Sequence, residues 1–551
     1  MELKKAYISG GDVKEFSPGM RINEILGCEK NITDPFIAIL DGEEEVDLSK
    51  MLHCDTNIKL VGMESDLGAK AYFRTLTFIL IKAVKSIYPK ARVILKHSLN
   101  EGLYGEIENI GDLTEDIIND ISGEMKRIVE KDLEIERIKV KYSEAEKIFT
   151  EYSMKDKLRL LRHLDLSYIT LYKCEGFYDY FYGAMLSSTG YIKIYDIFKY
   201  GRGFILLSPK ENTNFKIPTF NDVPKLAKVF DETRSVADIL DVADVGALND
   251  KVDSGEMKDI ILVSEALHEK QIGKIADKIY KNKDNIKLVT IAGPSSSGKT
   301  TFSKRLSIQL RLLGFDPYPI SLDDYFVDRE NTPRDENGEF DFESIKAVDV
   351  DLFNEHLSIL LNGGEISLPK FDFLEGKRVD SGKRFRMKKN TLIVIEGIHG
   401  LNEVLTNSVP RENKFKIYVS ALTQLNIDDH NRMPTTDVRI LRRIVRDNRT
   451  RGRNAETTIL GWPSVRRGEN KNIFPFQEEA DVMFNSTVIY EMSILKKYAK
   501  PLLESIPKGN PSYIEARRLL GIISYFKEAD GKIIPPNSII KEFIGESCFD
   551  D

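Results

Sequence analysis

A short apolar run, Ile286-Lys287-Leu288-Val289-Thr290-Ile291-Ala292, opens directly into Gly293-Pro294-Ser295-Ser296-Ser297-Gly298-Lys299-Thr300, and this block constrains the fold more than any other stretch of the chain. Residues 301–313 follow with Phe302, Leu306, Leu310 and Leu313 at helical spacing, and Gly314 closes them. A buried strand, a glycine-rich turn and an amphipathic helix are predicted in succession. The turn reads GxxxxGK[ST] in the strand–loop–helix setting that gives this pattern its meaning. Gly293 and Gly298 let the backbone close around a polyphosphate. The amides of Ser295, Ser296, Ser297, Lys299, Thr300 and Thr301 then point inward at the positive end of a helix dipole. Lys299 supplies a cation for the β and γ phosphates, and Thr300 offers a hydroxyl to Mg2+. Apolar runs alternating with amphipathic segments continue from residue 285 to about 505, the βαβ signature of a parallel sheet covered by helices. A nucleotide site alone does not define a reaction.

Three further segments narrow the chemistry. Pro319-Ile320-Ser321-Leu322 reads as a strand that ends in Asp323-Asp324-Tyr325-Phe326. Ligands of open parallel sheets collect beyond the carboxyl ends of the strands, which puts Asp323 where a carboxylate accepts a proton from a substrate hydroxyl. A second buried run, residues 391–395, ends in Glu396-Gly397, and Glu396 is placed to orient a Mg2+-bound water or the substrate. Between 437 and 453 stand Arg439, Arg442, Arg443, Arg446, Arg449, Arg451 and Arg453. The first four follow helical spacing, and Arg451-Gly452-Arg453 marks a hinge. Such a cluster predicts a lid whose guanidinium groups close over a transferring phosphoryl group and exclude water.

Together with Phe340-Asp341-Phe342-Glu343 and Leu368-Pro369-Lys370-Phe371-Asp372-Phe373, these pieces resemble, in order and spacing, the uridine kinase and phosphoribulokinase family of P-loop kinases over residues 285–505. The resemblance implies an α/β kinase fold, ATP and Mg2+ as cofactors, and phosphoryl transfer to the 5'-hydroxyl of a nucleoside or a related small hydroxyl acceptor. It implies Asp323 as general base, Lys299 with Arg446, Arg451 and Arg453 as stabilisers of phosphoryl charge, and Thr300 with Glu396 at the metal. On the acceptor side it implies Phe326, Glu343, Phe371, Phe373, Arg439 and Arg443. Glu343 falls where the family holds the ribose hydroxyls with an aspartate one methylene shorter. Phe371 replaces a tyrosine, and Gly376 stands where uridine kinases read the pyrimidine with a histidine. Fold and reaction type carry over, and pyrimidine recognition stays open. Family members are often dimers or tetramers, so self-association, as a dimer, is expected.

At 551 residues the chain exceeds one core. Hydrophobic residues at 41% and charged residues at 30% exclude wholesale disorder, and a net charge of -7 excludes a globally basic nucleic-acid binder. Cys28, Cys54, Cys174 and Cys548 form no CxxC pair, which argues for a reducing compartment and against a disulfide framework. Met-Glu-Leu-Lys-Lys leads into no apolar signal core. The most apolar stretch, residues 72–84, is broken by Arg74 and Lys82, so no membrane span is expected and a cytoplasmic location is.

Residues 1–63 read as short strands around one helix at 21–26, a ubiquitin-like β-grasp roll, and resemble a TGS domain. Residues 64–215 read as an α+β unit, with helices at 71–87 and 113–129 and strands between 168 and 207. They resemble the second, editing-type domain of threonyl-tRNA synthetase. There, Phe181 and Met185 fall on the CxxxH positions and Arg74 and Phe78 on the HxxxH positions, so zinc-type editing chemistry is not expected. Binding RNA, binding a small effector, and supporting the kinase are the roles left open for residues 1–215. Residues 216–284 read as a helical connector, with a helix at 265–280 and a loop near Asp253-Ser254-Gly255. Residues 506–551 read as a helical extension, with a helix at 513–526 and a Pro535-Pro536 turn. The alternative to a kinase is an RNA- or ribosome-associated regulatory NTPase without a small acceptor. No [NT]KxD guanine-reading motif follows the phosphate loop, which tells against a GTP switch and favours the kinase.

Overall fold

The computed structural model describes residues 3–27, 30, 32, 34, 36–334, 338, 340, 341, 343–372, 375–423 and 425–549. Residues 288–485 build a five-stranded sheet in the order Asp316–Ser321, Thr391–Glu396, Leu288–Ala292, Lys414–Ser420, Val482–Asn485. Every neighbouring pair is parallel. All residues of Leu288–Ala292 and Lys414–Ser420 are buried, the mark of strands covered on both faces. One face packs against Phe302, Leu306 and Leu310 of the phosphate-loop helix (Lys299–Leu312) and against Ile272, Ile275 and Ile279. The other packs against Phe353, Leu357 and Leu360 of helix Val350–Leu361. Parallel strands end on one edge, so the turns after Ala292, Ser321 and Glu396 lie together there. An antiparallel hairpin, Glu365–Asp372 with Lys377–Arg386, is tied to this edge where the Phe371 amide donates to Asp324 at 3.3 Å.

The connector holds three helices, Pro224–Leu240, Val245–Asp253 and Met257–Lys281, where periodicity predicts one. Met257–Lys281 serves two cores. Met257, Ile260 and Ile261 pack with Val438, Leu441 and Ile444 of the arginine helix (Thr435–Arg451), whereas Ile272, Ile275 and Ile279 pack on the sheet. A helix that changes partner midway turns its buried face, and this blurs the 3.6-residue signal. The expected turn at 254–256 separates it from the helix before.

Toward the N-terminus lies a mixed sheet in the order Val13–Phe16, Lys4–Ile8, Thr56–Val61, Ile37–Leu40, Glu44–Asp47. Ile22 and Ile25 of helix Ile22–Leu26 pack against Ala6, Ala38 and Ile58 of that sheet. Next, helices Asp66–Ile87 and Glu115–Glu130 share a core with an antiparallel four-stranded sheet, Asp196–Tyr200, Gly203–Leu207, Gly102–Glu108, Arg92–Leu99. Stretches 74–78 and 181–185 face each other across this core. The Phe78 and Phe181 rings are 6.1 Å apart, Met185 is fully buried, and the Arg74 guanidinium donates to the Ala184 carbonyl. Among the described residues no helix is long and apolar enough to cross a membrane.

The N-terminal half is joined by buried charge to the segment between strand Lys414–Ser420 and the arginine helix. Lys157 reaches Asp428 at 2.8 Å and Asp179 at 3.3 Å, and His430 Nδ1 lies 2.7 Å from Asp179. Arg92 clamps Asp429, whose amide donates to Asp156 at 2.8 Å. Removing Lys157 takes the ammonium group from Asp428 and leaves Asp179 with His430 alone beside it. Lys157→Met is therefore expected to cost about 3–5 kcal/mol, read as a lower midpoint in denaturant unfolding; an unchanged midpoint would show that this junction contributes nothing.

Candidate active site

The loop between Ala292 and Lys299 is shaped by close approach and by cations. A Cβ at Gly293 would fall 2.0 Å from the Val419 carbonyl oxygen, so only glycine lets the first turn lie against the neighbouring strand. Gly298 takes φ 82 to enter the helix. Three successive loop carbonyls are tied outward. Pro294 O accepts from Lys299 Nζ at 3.2 Å, Ser295 O from Arg439 Nε at 2.9 Å, and Ser296 O from Arg442 Nη1 at 3.3 Å. The N–H groups of Ser296, Gly298, Lys299 and Thr300 have no acceptor among the described residues. Ser296 Oγ and Ser297 Oγ are buried and equally unpartnered there. Open amides and orphaned hydroxyls at a helix N-terminus suit a polyphosphate.

The arginine helix separates into two sets. Arg439 and Arg442 are almost fully buried. Arg439 pairs with Glu469 and lies 5.3 Å over the Trp462 ring; Arg442 pairs with Glu491 and donates to Ser486 Oγ at 3.1 Å. The sequence placed Arg439 against substrate, but its guanidinium is committed beneath the loop, where it braces Ser295. The second set gathers on one buried carboxylate. Asp447 lies 2.7 Å from Arg446, 3.3 Å from Arg443 and 3.7 Å from Arg451, and the Arg453 amide donates to its carbonyl at 3.1 Å. Arg443 also donates to Ser295 Oγ at 2.7 Å. The expected lid is thus a packed helix that ends at Gly452 in the left-handed conformation. Asp447, Glu469 and Glu491, which organise it, carry no motif signal and emerge only as its counter-charges.

Acidic groups ring Lys299. Thr300 Oγ1 donates to Glu396 Oε1 at 2.8 Å, joining the loop to the end of the adjacent strand. Burial pushes the Glu396 carboxyl up, with Lys299 and Thr300 opposing. Burial also raises Glu343, against Arg443 and Lys299. Gly468 lets Glu343 lie against helix Ala455–Asn472, and Asn472 holds the Glu343 carbonyl at 2.7 Å. Asp323 is solvent-exposed, yet the walls around it raise its carboxyl, Asp324 adds to this, and Lys299 and Arg451 oppose it. Both facts fit a side chain in an open concave cleft. Burial lowers Lys299 itself, with Glu396 foremost among the groups that oppose the shift.

The acceptor-side aromatics are arranged differently from expectation. Phe371 is 4% exposed and meets Phe326 edge to face at 5.7 Å, so Phe326, half-buried, forms the accessible part of the pair. Phe373 lies outside the described residues. At Gly376, φ is 70 and Arg329 lies over the Cα; a Cβ would fall 2.8 Å from its guanidinium carbon.

Residues 288–492 match the model of the Phosphoribulokinase / Uridine kinase family. The uridine kinase of Staphylococcus aureus (strain JH9) is 32% identical over 198 residues, which cover 36% of this chain and 86% of that protein. The chain belongs to the phosphoribulokinase and uridine kinase family. The uridine kinase of S. aureus strain Newman matches with the same figures. A solved Bacillus stearothermophilus structure, described as that of a possible uridine kinase, is 19% identical with a TM-score of 0.26, over 38% of this chain and 98% of its own. The family region thus contains the phosphate loop, Asp323, Glu343, Glu396 and the arginine helix, while the N-terminal units and the C-terminal extension lie outside it. In this family member, Gly293→Ala drives a methyl group into the Val419 carbonyl. A loss of about 1–3 kcal/mol is expected, seen as a lower Tm in thermal unfolding, and an unshifted Tm would refute the close approach.

Proposed function

We propose that this chain transfers the γ-phosphoryl group of ATP to the hydroxyl of a nucleoside or a related small acceptor, at the 5'-hydroxyl in the manner of a uridine kinase. The observation that carries the reading is the convergence of Asp323, Glu343 and Glu396 on the Lys299 charge at one edge of the sheet. Membership of a kinase family and the open amides of the phosphate loop support it.

The open loop amides and Lys299 hold the polyphosphate. Thr300 and Glu396 present a hydroxyl and a carboxylate side by side, an oxygen pair suited to Mg2+. A Mg2+ ion held by Thr300 and Glu396 would supply charge neutralisation for the polyphosphate. Asp323 takes the acceptor's hydroxyl proton as the new O–P bond forms and the bond from the γ phosphorus to the β–γ bridging oxygen breaks, releasing ADP. Its raised carboxyl makes it a stronger base than an ordinary aspartate. Arg443, Arg446 and Arg451, held in one group by Asp447, spread the developing charge, with Arg453 beside them. Glu343 holds acceptor hydroxyls and Phe326 forms an apolar wall. Arg329 over Gly376 replaces the imidazole of uridine kinases, so the acceptor's ring is read by a different group. Residues 1–63 and 64–215 are proposed as TGS-like and synthetase-like units. The mixed sheet around one helix and the facing of 74–78 with 181–185 support that assignment.

A panel of nucleosides and sugar phosphates with ATP and Mg2+, scored by product mass, tests the reaction. ADP release that requires an acceptor is expected; RNA-stimulated hydrolysis with no phosphorylated product would replace the kinase by the RNA-associated NTPase. Asp323→Asn is expected to lower kcat about a hundredfold or more with the fold intact, and near-normal turnover would remove Asp323 as base. The rate should fall on the acid side through an apparent pKa above that of an ordinary aspartate, because the base must be ionised. Arg451 holds that carboxyl down, so Arg451→Gln should move the acid limb to higher pH. An unmoved or lowered limb in the pH–kcat/KM profile would contradict the pairing.

A further inference from the structure

Thr301, third residue of the phosphate-loop helix, already has an anionic partner. Its amide donates to Glu542 Oε2 at 3.1 Å and its hydroxyl donates to the same oxygen at 2.8 Å. One oxygen gathering an amide and a hydroxyl at a helix N-terminus is how a phosphate oxygen is held. Glu542 lies beyond the family-matched residues, in the short helix Lys541–Ile544 of the C-terminal extension.

The backbone that carries Glu542 is firmly seated. Ile539 and Phe543 belong to the same core as Phe302 and Leu306. Arg449 donates to the Glu542 carbonyl at 3.1 Å and to that of Phe543 at 3.4 Å. The Arg442 guanidinium lies 4.8 Å from the Phe543 ring centroid, and Lys304 Nζ donates to the Phe549 carbonyl at 2.6 Å. The Glu542 carboxylate is therefore delivered to the loop by a fixed support, and its own side-chain torsions are what can carry it away. In place, it adds a negative charge that both Lys299 and Glu396 feel. A polyphosphate entering beside it meets like charge across the same two donors.

We propose that Glu542 is an intramolecular phosphate mimic that competes with nucleotide for Thr301, so that its side chain must swing off before a polyphosphate seats fully. This rests on the nucleotide reading of the loop and adds to it a built-in limit on nucleotide affinity. A site whose competent form is only part of the population binds more weakly by that fraction.

The full-length chain tests this by calorimetric titration of MgATP and MgADP into wild type, Glu542→Gln and Glu542→Asp, with Tm recorded with and without nucleotide. Glu542→Gln removes the charge and is expected to bind MgATP about fivefold tighter or more. Its ligand-free Tm should fall while the nucleotide-induced rise in Tm grows. Glu542→Asp withdraws the carboxylate by one methylene and should tighten binding by a smaller factor; it decides the matter if the glutamine variant does not fold. Equal or weaker nucleotide binding in the folded variant, with the lower Tm, makes Glu542 a structural helix cap and overturns the proposal while leaving the nucleotide site standing. Folded protein that binds no nucleotide in any form overturns the nucleotide reading itself.

Discussion

The candidate site depends on the outward tethering of three loop carbonyls. A glycine-rich turn has more conformations than a ligand can use, and something must choose one. Here Lys299, Arg439 and Arg442 pull the carbonyls of Pro294, Ser295 and Ser296 toward the protein, and the amides of Ser296, Gly298, Lys299 and Thr300 are left without an acceptor among the described residues. Two of these cations are buried and would be costly alone; Glu469 and Glu491 make them tolerable. Glu469 does more than neutralise, because its Oε1 also accepts the Ser295 amide at 3.0 Å. The loop is pre-organised by a charge network below it, and order in the donors before the ligand arrives is what makes electrostatic stabilisation effective.

Much of the kinase unit was legible because its signals are local. The run before Gly293, the run before Glu396 and the spacing of Phe302, Leu306 and Leu310 each predict their element, and the strand-end rule places Asp323 and Glu396 on a common edge. Arginine spacing located a helix but could not say which arginines face the cleft. Arg439 and Arg443 are neighbours in the pattern, yet one is sealed under the loop and the other shares Asp447 at the cleft. That outcome hangs on Glu469, thirty positions on and without a motif of its own. Phe371 shows the same limit: a pattern names an aromatic, and only packing reveals that Phe326 covers it. Glu542 was illegible for a stronger reason, since a lone glutamate in a terminal segment has no spacing to read. In the N-terminal half the strand pair Arg92–Leu99 and Gly102–Glu108 went unseen because Lys96 and His97 interrupt its alternation, where the ladder carries an irregularity between Leu95 and His97.

The N-terminal half and the segment after strand Lys414–Ser420 meet through groups too costly to separate casually. Lys157, Asp179, Asp428 and His430 satisfy one another away from water, and Tyr182 extends the seam by donating to the Arg518 carbonyl at 2.6 Å. Asp428 and His430 lie in the segment that leads into the arginine helix, so the half without recognised chemistry supports the approach to the half that has it.

Helix Met257–Lys281 carries one more implication. Its second half forms a wall of the parallel sheet, although it precedes the first strand of the family region. The homologous stretch and the cooperative folding unit are therefore not the same length of chain. An excised fragment starting at residue 285 would bare the flank of the sheet that Ile272, Ile275 and Ile279 now shield. Evolutionary borders and thermodynamic borders part company here, and a minimal catalytic piece would have to be cut upstream of that helix.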